Sequence, residues 1–116
     1  MMRSGTTLSR CDVVVIPFPY TDLSSQKRRP VLVLTEVDDF GDFIGVAITS
    51  QSGHVDAVLI GSDDLTLGQL PKTSWVRTSR LFSLNESMVI HRFGILKPKA
   101  YQLILQHICA GLGCAS

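Results

Sequence analysis

The sequence predicts a mainly β domain: a small curled sheet or barrel with one helix packed on it. Short β-branched or alternating apolar runs recur at turn-separated intervals through most of the chain, which is the pattern of a small all-β architecture. The closing segment then switches to helical spacing, which adds a single packing helix. Composition agrees: 116 residues, 45% hydrophobic and 18% charged, suit one compact domain rather than a disordered chain. A chain of this length buries about two thirds of its unfolded surface.

Residues 1–10 are polar, with small side chains from Ser4 to Thr7, and read as a loose leader ahead of one domain over 11–116. "CDVVVIPF" (11–18) is β-branched and is closed by Pro17 and Pro19, a first strand. "YTDLSSQKRR" (20–29) has loop character. "PVLVLTE" (30–36) is continuously apolar at its centre, a strand buried on both faces. "VDDFGD" (37–42) turns the chain into a third strand, "FIGVAITSQ" (43–51). "HVDAVLI" (54–60) alternates and reads as a half-buried strand. "GSDDLTLGQLP" (61–71) is a long connection with one helical turn, and "TSWVRTSRLF" (73–82) and "SMVIHRFGIL" (87–96) are two further strands. In "KPKAYQLILQHICAGLG", Tyr101, Ile104, Leu105, Ile108 and Leu112 recur at helical spacing. Pro98 fits the first helical position and Gly111 or Gly113 the end. Strand order does not follow from this pattern.

Net charge is +1, so no global field draws in a polyanion, and any such binding needs a local patch. Lys27, Arg28 and Arg29 form one, with Arg77, Arg80 and Arg92 as contributors. Cys11, Cys109 and Cys114 have no CxxC or Cys/His ligand spacing, which predicts reduced thiols in a cytoplasmic protein. The longest apolar runs are far too short to span a bilayer, so no membrane association is expected. His54, His91 and His107 are scattered without ligand companions, which predicts neither metal nor other cofactor. Gly-rich phosphate loops and HExxH or GxSxG motifs are absent.

Two motifs carry chemistry. In "QKRRPVLVLT" (26–35), Pro30 locks its own φ and drives Arg29 into the extended region, holding a guanidinium at a rigid loop-to-strand junction. A pre-oriented guanidinium suits bidentate phosphate binding, although a solvated cation at a strand start has the same sequence. In "AITSQ" (47–51), a strand ends in Thr49, Ser50 and Gln51, whose hydroxyls and amide can orient an anion, or simply run out into solvent. Asp22, with Ser24 and Ser25, either caps a turn or lines the same site.

"CDVVVIPFPYTDLSSQKRRPVLVLTE…IGVAITSQ" resembles the opening of the MazF/PemK family of toxin endoribonucleases from type II toxin–antitoxin pairs. The matching pieces are Asp12-Val13-Val14, Arg29-Pro30 with the apolar Val31–Leu34, and Ala47-Ile48-Thr49-Ser50-Gln51. "LPKTSWVRTSRLFSL" and "GILKPKAYQLILQHI" resemble the family's later strand and terminal helix, extending the likeness over about residues 11–112. The sequence departs from the family pattern at Cys11, where a glycine is usual, and in its first loop, Leu23-Ser24-Ser25-Gln26. Ser79 stands where some members place another polar residue.

The resemblance implies an SH3-like barrel with a C-terminal helix, a homodimer, and a cognate antitoxin lying across the RNA-binding face. It implies metal-independent, sequence-specific cleavage of single-stranded RNA, leaving 2′,3′-cyclic phosphate and 5′-hydroxyl ends. The family's catalytic Arg and Thr fall on Arg29 and Thr49; Lys27, Arg28, Ser50, Gln51, Asp22 and Tyr20 are the expected substrate contacts. A guanidinium stays protonated, so Arg29 suits charge stabilisation better than proton removal. Unpaired bases stack on aromatic faces, and Phe18, Tyr20 and Trp75 offer such faces or fill the core. Two rival functions share this fold: a catalytically silent RNA- or protein-binding domain, and a toxin that poisons a protein target such as gyrase.

Overall fold

A computed structural model describes residues 8–18 and 27–114. Seven strands, β1 (Asp12–Phe18), β2 (Lys27–Val33), β3 (Asp42–Thr49), β4 (Ala57–Ile60), β5 (Leu65–Gly68), β6 (Ser74–Asn85) and β7 (His91–Leu96), precede one helix, α1 (Pro98–Leu112). They form one antiparallel sheet in the order β4-β6-β3-β2-β1-β7-β5. The curled sheet with its C-terminal helix is the predicted class.

The central strands are buried on both faces, as the run in β2 predicts. Val31 and Val33 join Val14, Ile16, Phe43 and Leu84 in one apolar cluster. Leu32 and Leu34 join Val46, Ile48, Val76 and the helix residues Tyr101, Ile104 and Ile108 in the other. The helix is tied down by a polar contact as well: the Tyr101 hydroxyl donates to the Leu34 carbonyl at 2.6 Å. Pro98 occupies the helix start, and Gly113, at φ 79°, is the left-handed cap. Leu8, ahead of β1, is buried in the smaller cluster, and the buried Asp12 carboxylate accepts from the Ser9 N–H at 2.9 Å and pairs with Arg92 at 3.6 Å.

Three local differences from the sequence reading have physical causes. β5 was expected as part of a connection; it is a short edge strand with only Leu65 buried, too little periodicity to show. Its Gly68, at φ 88°, brings the backbone against Phe93, where a Cβ would collide. β6 runs on to Asn85 because β3 pairs with it from Thr49↔Trp75 through Asp42↔Asn85. β2 starts at Lys27 rather than Pro30, because pairing with β1 extends through Phe18↔Lys27. Pro30 has no N–H for a ladder, and the β2–β3 pairing stops one residue away, at Val31↔Ala47.

Candidate active site

The parting of β2 from β3 builds the site. Continued two residues past Val31↔Ala47, the same register sets Arg29 across from Thr49, each carried on a strand end that the other no longer pairs. Arg29 is anchored from the opposite side by pairing with Ile16 of β1. The β3–β6 ladder is irregular between Val46 and Ile48, where the extra residues, Arg77 to Arg80, lie on β6.

Thr49 is already oriented. Its Oγ1 accepts a hydrogen bond from the Gln51 backbone N–H at 3.1 Å, so the hydroxyl proton remains a donor toward the opening. Arg29, Thr49 and Gln51 line a cavity of about 200 Å³ with His54, Arg77 and Arg80. A second cavity, of about 490 Å³, shares Arg29, Pro30, Ile48 and Thr49 and adds Arg28, Ser50, Lys72 and His91. Arg29 and Thr49 therefore stand where two concavities meet.

Arg77 of β6 is held by a carboxylate. Asp56 Oδ1 lies 3.4 Å from Arg77 Nε, and Oδ2 accepts a short hydrogen bond from Ser79. The Thr78 N–H and hydroxyl both donate to the Asp56 carbonyl, at 2.8 and 2.9 Å, which pins the turn before β4 to β6. The Ser79 hydroxyl, with a backbone hydrogen bond and Arg77 adding to it against partial burial, holds the Asp56 carboxyl below its ordinary pKa. Its charge persists beside Arg77, so the guanidinium is gripped through Nε and keeps its terminal nitrogens for another anion.

Of the residues anticipated from sequence, Arg29, Thr49 and Gln51 share the smaller cavity, and Arg28 and Ser50 lie in the adjoining one. Tyr20 and Asp22 lie outside the described residues, and Lys27 is described only as backbone of β2. Arg77 and Arg80 do contribute, whereas Arg92 is engaged by Asp12. Trp75 is half-buried on β6, paired with Thr49 on one side and Leu59 of the edge strand on the other, and lines neither cavity. Asp56 went unrecognised in the sequence, and His54, expected in a strand, sits instead in the connection between β3 and β4. Polar alternation in "HVDAV" is the only local hint of either. Among the described residues no group of three or more His, Cys, Asp or Glu is placed to hold a metal ion. No helix of the described chain is long and apolar enough to cross a membrane.

Comparison with known proteins agrees with this architecture. The chain is similar to an endoribonuclease from a mycobacterial species solved with its cognate antitoxin, with 18% identity and TM-score 0.75 over 94% of this chain and 98% of that one. It is similar to a MazE–MazF complex from Deinococcus radiodurans, with 17% identity and TM-score 0.76 over 94% and 99%. It also resembles the Mycobacterium tuberculosis toxin MazF-mt6, with 16% identity and TM-score 0.67 over 90% and 99%. No curated protein sequence matches. The model of the PemK-like, MazF-like toxins of type II toxin–antitoxin systems matches residues 9–112, nearly the whole chain, and the protein belongs to that family.

Proposed function

We propose that this toxin is a metal-independent endoribonuclease of the cytoplasm that cleaves single-stranded RNA between Arg29 and Thr49. The observation that carries the reading is the sharing of one cavity by Arg29 and Thr49, at the strand ends where β2 and β3 no longer pair with each other, with an oriented Thr49 hydroxyl and further arginines around it. A scissile phosphate seated there meets a guanidinium for its non-bridging oxygens and a hydroxyl donor beside it. The substrate's own 2′-hydroxyl attacks phosphorus, and the bond from phosphorus to the 5′-oxygen breaks, the departing 5′-oxygen taking a proton from water. The products are a 2′,3′-cyclic phosphate and a 5′-hydroxyl end.

Arg29 stabilises the negative charge that builds on the phosphorane-like transition state, because its cation is in place before the charge develops. Thr49 holds the phosphate in line. Proton removal from the 2′-hydroxyl falls to His54, whose imidazole lines the same cavity and can accept a proton. Arg77, gripped by Asp56, and Arg80 bind a neighbouring phosphate. Gln51, with Arg28 and Ser50 in the adjoining cavity, contacts flanking nucleotides, a role that extends to Lys27, Asp22 and Tyr20 of the first loop. The likeness to toxins solved with antitoxins supports an inhibitory antitoxin as partner, and the family resemblance implies a homodimer as the working form.

The test is incubation of purified protein with a long mixed-sequence RNA in EDTA, with 5′-end mapping, beside Arg29→Ala and Thr49→Ala. Discrete cuts with 5′-hydroxyl ends are expected, each variant losing about 10²–10³ in rate, the usual cost of one oriented donor. Intact RNA with a folded protein would overturn the reading in favour of a protein-target toxin or a silent binding domain.

A further inference from the structure

The end of α1 carries a feature unrelated to the groove. Gly113 takes the left-handed conformation, its N–H bonds to the Ala110 carbonyl at 3.3 Å, and the Cys114 N–H bonds back to the Cys109 carbonyl at 2.9 Å. These paired hydrogen bonds define a Schellman cap, which normally sets two apolar side chains in contact across the turn. Here the two positions that meet are both cysteines.

We propose that Cys109 and Cys114 form a thiol–disulfide exchange site, two thiols pre-set by the helix cap to close into an intramolecular disulfide. The 2.9 Å backbone hydrogen bond draws their Cα atoms into the roughly 4–7 Å range that disulfides span. Both side chains are exposed, so a disulfide-containing reagent reaches them. The Cys114 side chain raises the pKa of the Cys109 thiol. Cys11 provides a built-in contrast: it is half-buried, and desolvation raises its thiol pKa, so it is a poor nucleophile.

The chemistry balances with oxidised glutathione, or any small disulfide, as oxidant. The Cys114 thiolate attacks one sulfur, forming a mixed disulfide and expelling one glutathione thiolate. The Cys109 thiolate then attacks the Cys114 sulfur and expels the second. Two thiols are oxidised, one disulfide is reduced to two thiols, and the protons pass to the leaving thiolates. Because the second step is intramolecular and the cap holds the two residues close, the ring closes faster than glutathione adducts accumulate.

The test equilibrates the full-length protein in glutathione redox buffers, quenches with acid, alkylates, and reads intact and peptide masses. The expected product is about 2 Da lighter than the reduced chain, the loss of two hydrogens, with Cys109 joined to Cys114 and Cys11 alkylated. Gly113→Ala strains the left-handed cap, and should move the half-oxidation point about fivefold toward more oxidant while leaving the fold intact. Cys109→Ser and Cys114→Ser should each stop at a glutathione adduct. Stable adducts on the unmodified sequence, interchain dimers, three free thiols, or a Gly113→Ala midpoint equal to that of the parent would each overturn the proposal.

Discussion

Asp56 grips Arg77: its Oδ1 sits 3.4 Å from the guanidinium Nε, while Ser79 and the Thr78 backbone hold the acid and its turn in place. The carboxylate belongs to the turn before β4 and the arginine to β6, so the pair locks the connection carrying His54 against the sheet. Asp56→Asn keeps the shape and removes the charge. It should lower single-turnover RNA cleavage by about tenfold, the worth of one charge-assisted hydrogen bond, with Asp56→Glu recovering part of it. An unchanged rate would show that Arg77 needs no anchor.

The same acid gives a pH signature. Its folded-state pKa lies below the ordinary 3.8, so it contributes stability that is present above that value and is lost as pH falls through the folded pKa. The Ser79 hydroxyl is the largest cause, so Ser79→Ala should be less stable than the parent near neutral pH, and the gap should close below about pH 4. Urea midpoints across pH 3–7 measure it. A gap that is constant with pH would assign the loss to packing instead.

His54→Gln preserves size and some hydrogen bonding, yet it should cost about 10²-fold in single-turnover cleavage rate. Binding of a non-cleavable RNA carrying 2′-O-methyl groups should change little, separating chemistry from affinity.

Cys11 is a non-glycine residue at positive φ, 80°, just before β1, where its backbone bonds both to Val33 and to Leu96. Glycine tolerates that conformation and alanine does not. Cys11→Gly should therefore be more stable than Cys11→Ala by about 1 kcal/mol, although the two differ by one methyl group. Thermal or urea unfolding of the pair isolates the backbone cost.

Gly45 stands at a tighter position. It pairs with Val33 on one side and Phe82 on the other, and a Cβ there would overlap the Val31 side chain. Gly45→Ala should destabilise the domain by about 1–3 kcal/mol through overpacking, read as a shifted urea midpoint with an unchanged slope.

The sequence by itself determined the elements with strong local signals: the apolar β2, the strand β3, and α1 with Pro98 at its start, while its end was open between Gly111 and Gly113 until the left-handed Gly113 settled it. It also marked Arg29 and Thr49, because Arg-Pro and a polar strand terminus are local patterns and the family resemblance rests on those same residues. The weakly periodic β5 and the true start of β2 escaped it, since edge pairing and hairpin extension leave little trace in side-chain order. Only the tertiary structure decided that His54, Arg77 and Arg80 share a cavity with Arg29, that Asp56 holds Arg77, and that Trp75 is part of the sheet interior rather than of the site. The physical reason is range. Periodicity reports which face of an element is buried, whereas residues dozens of positions apart are brought together by strand order and register, which depend on pairing across the whole sheet.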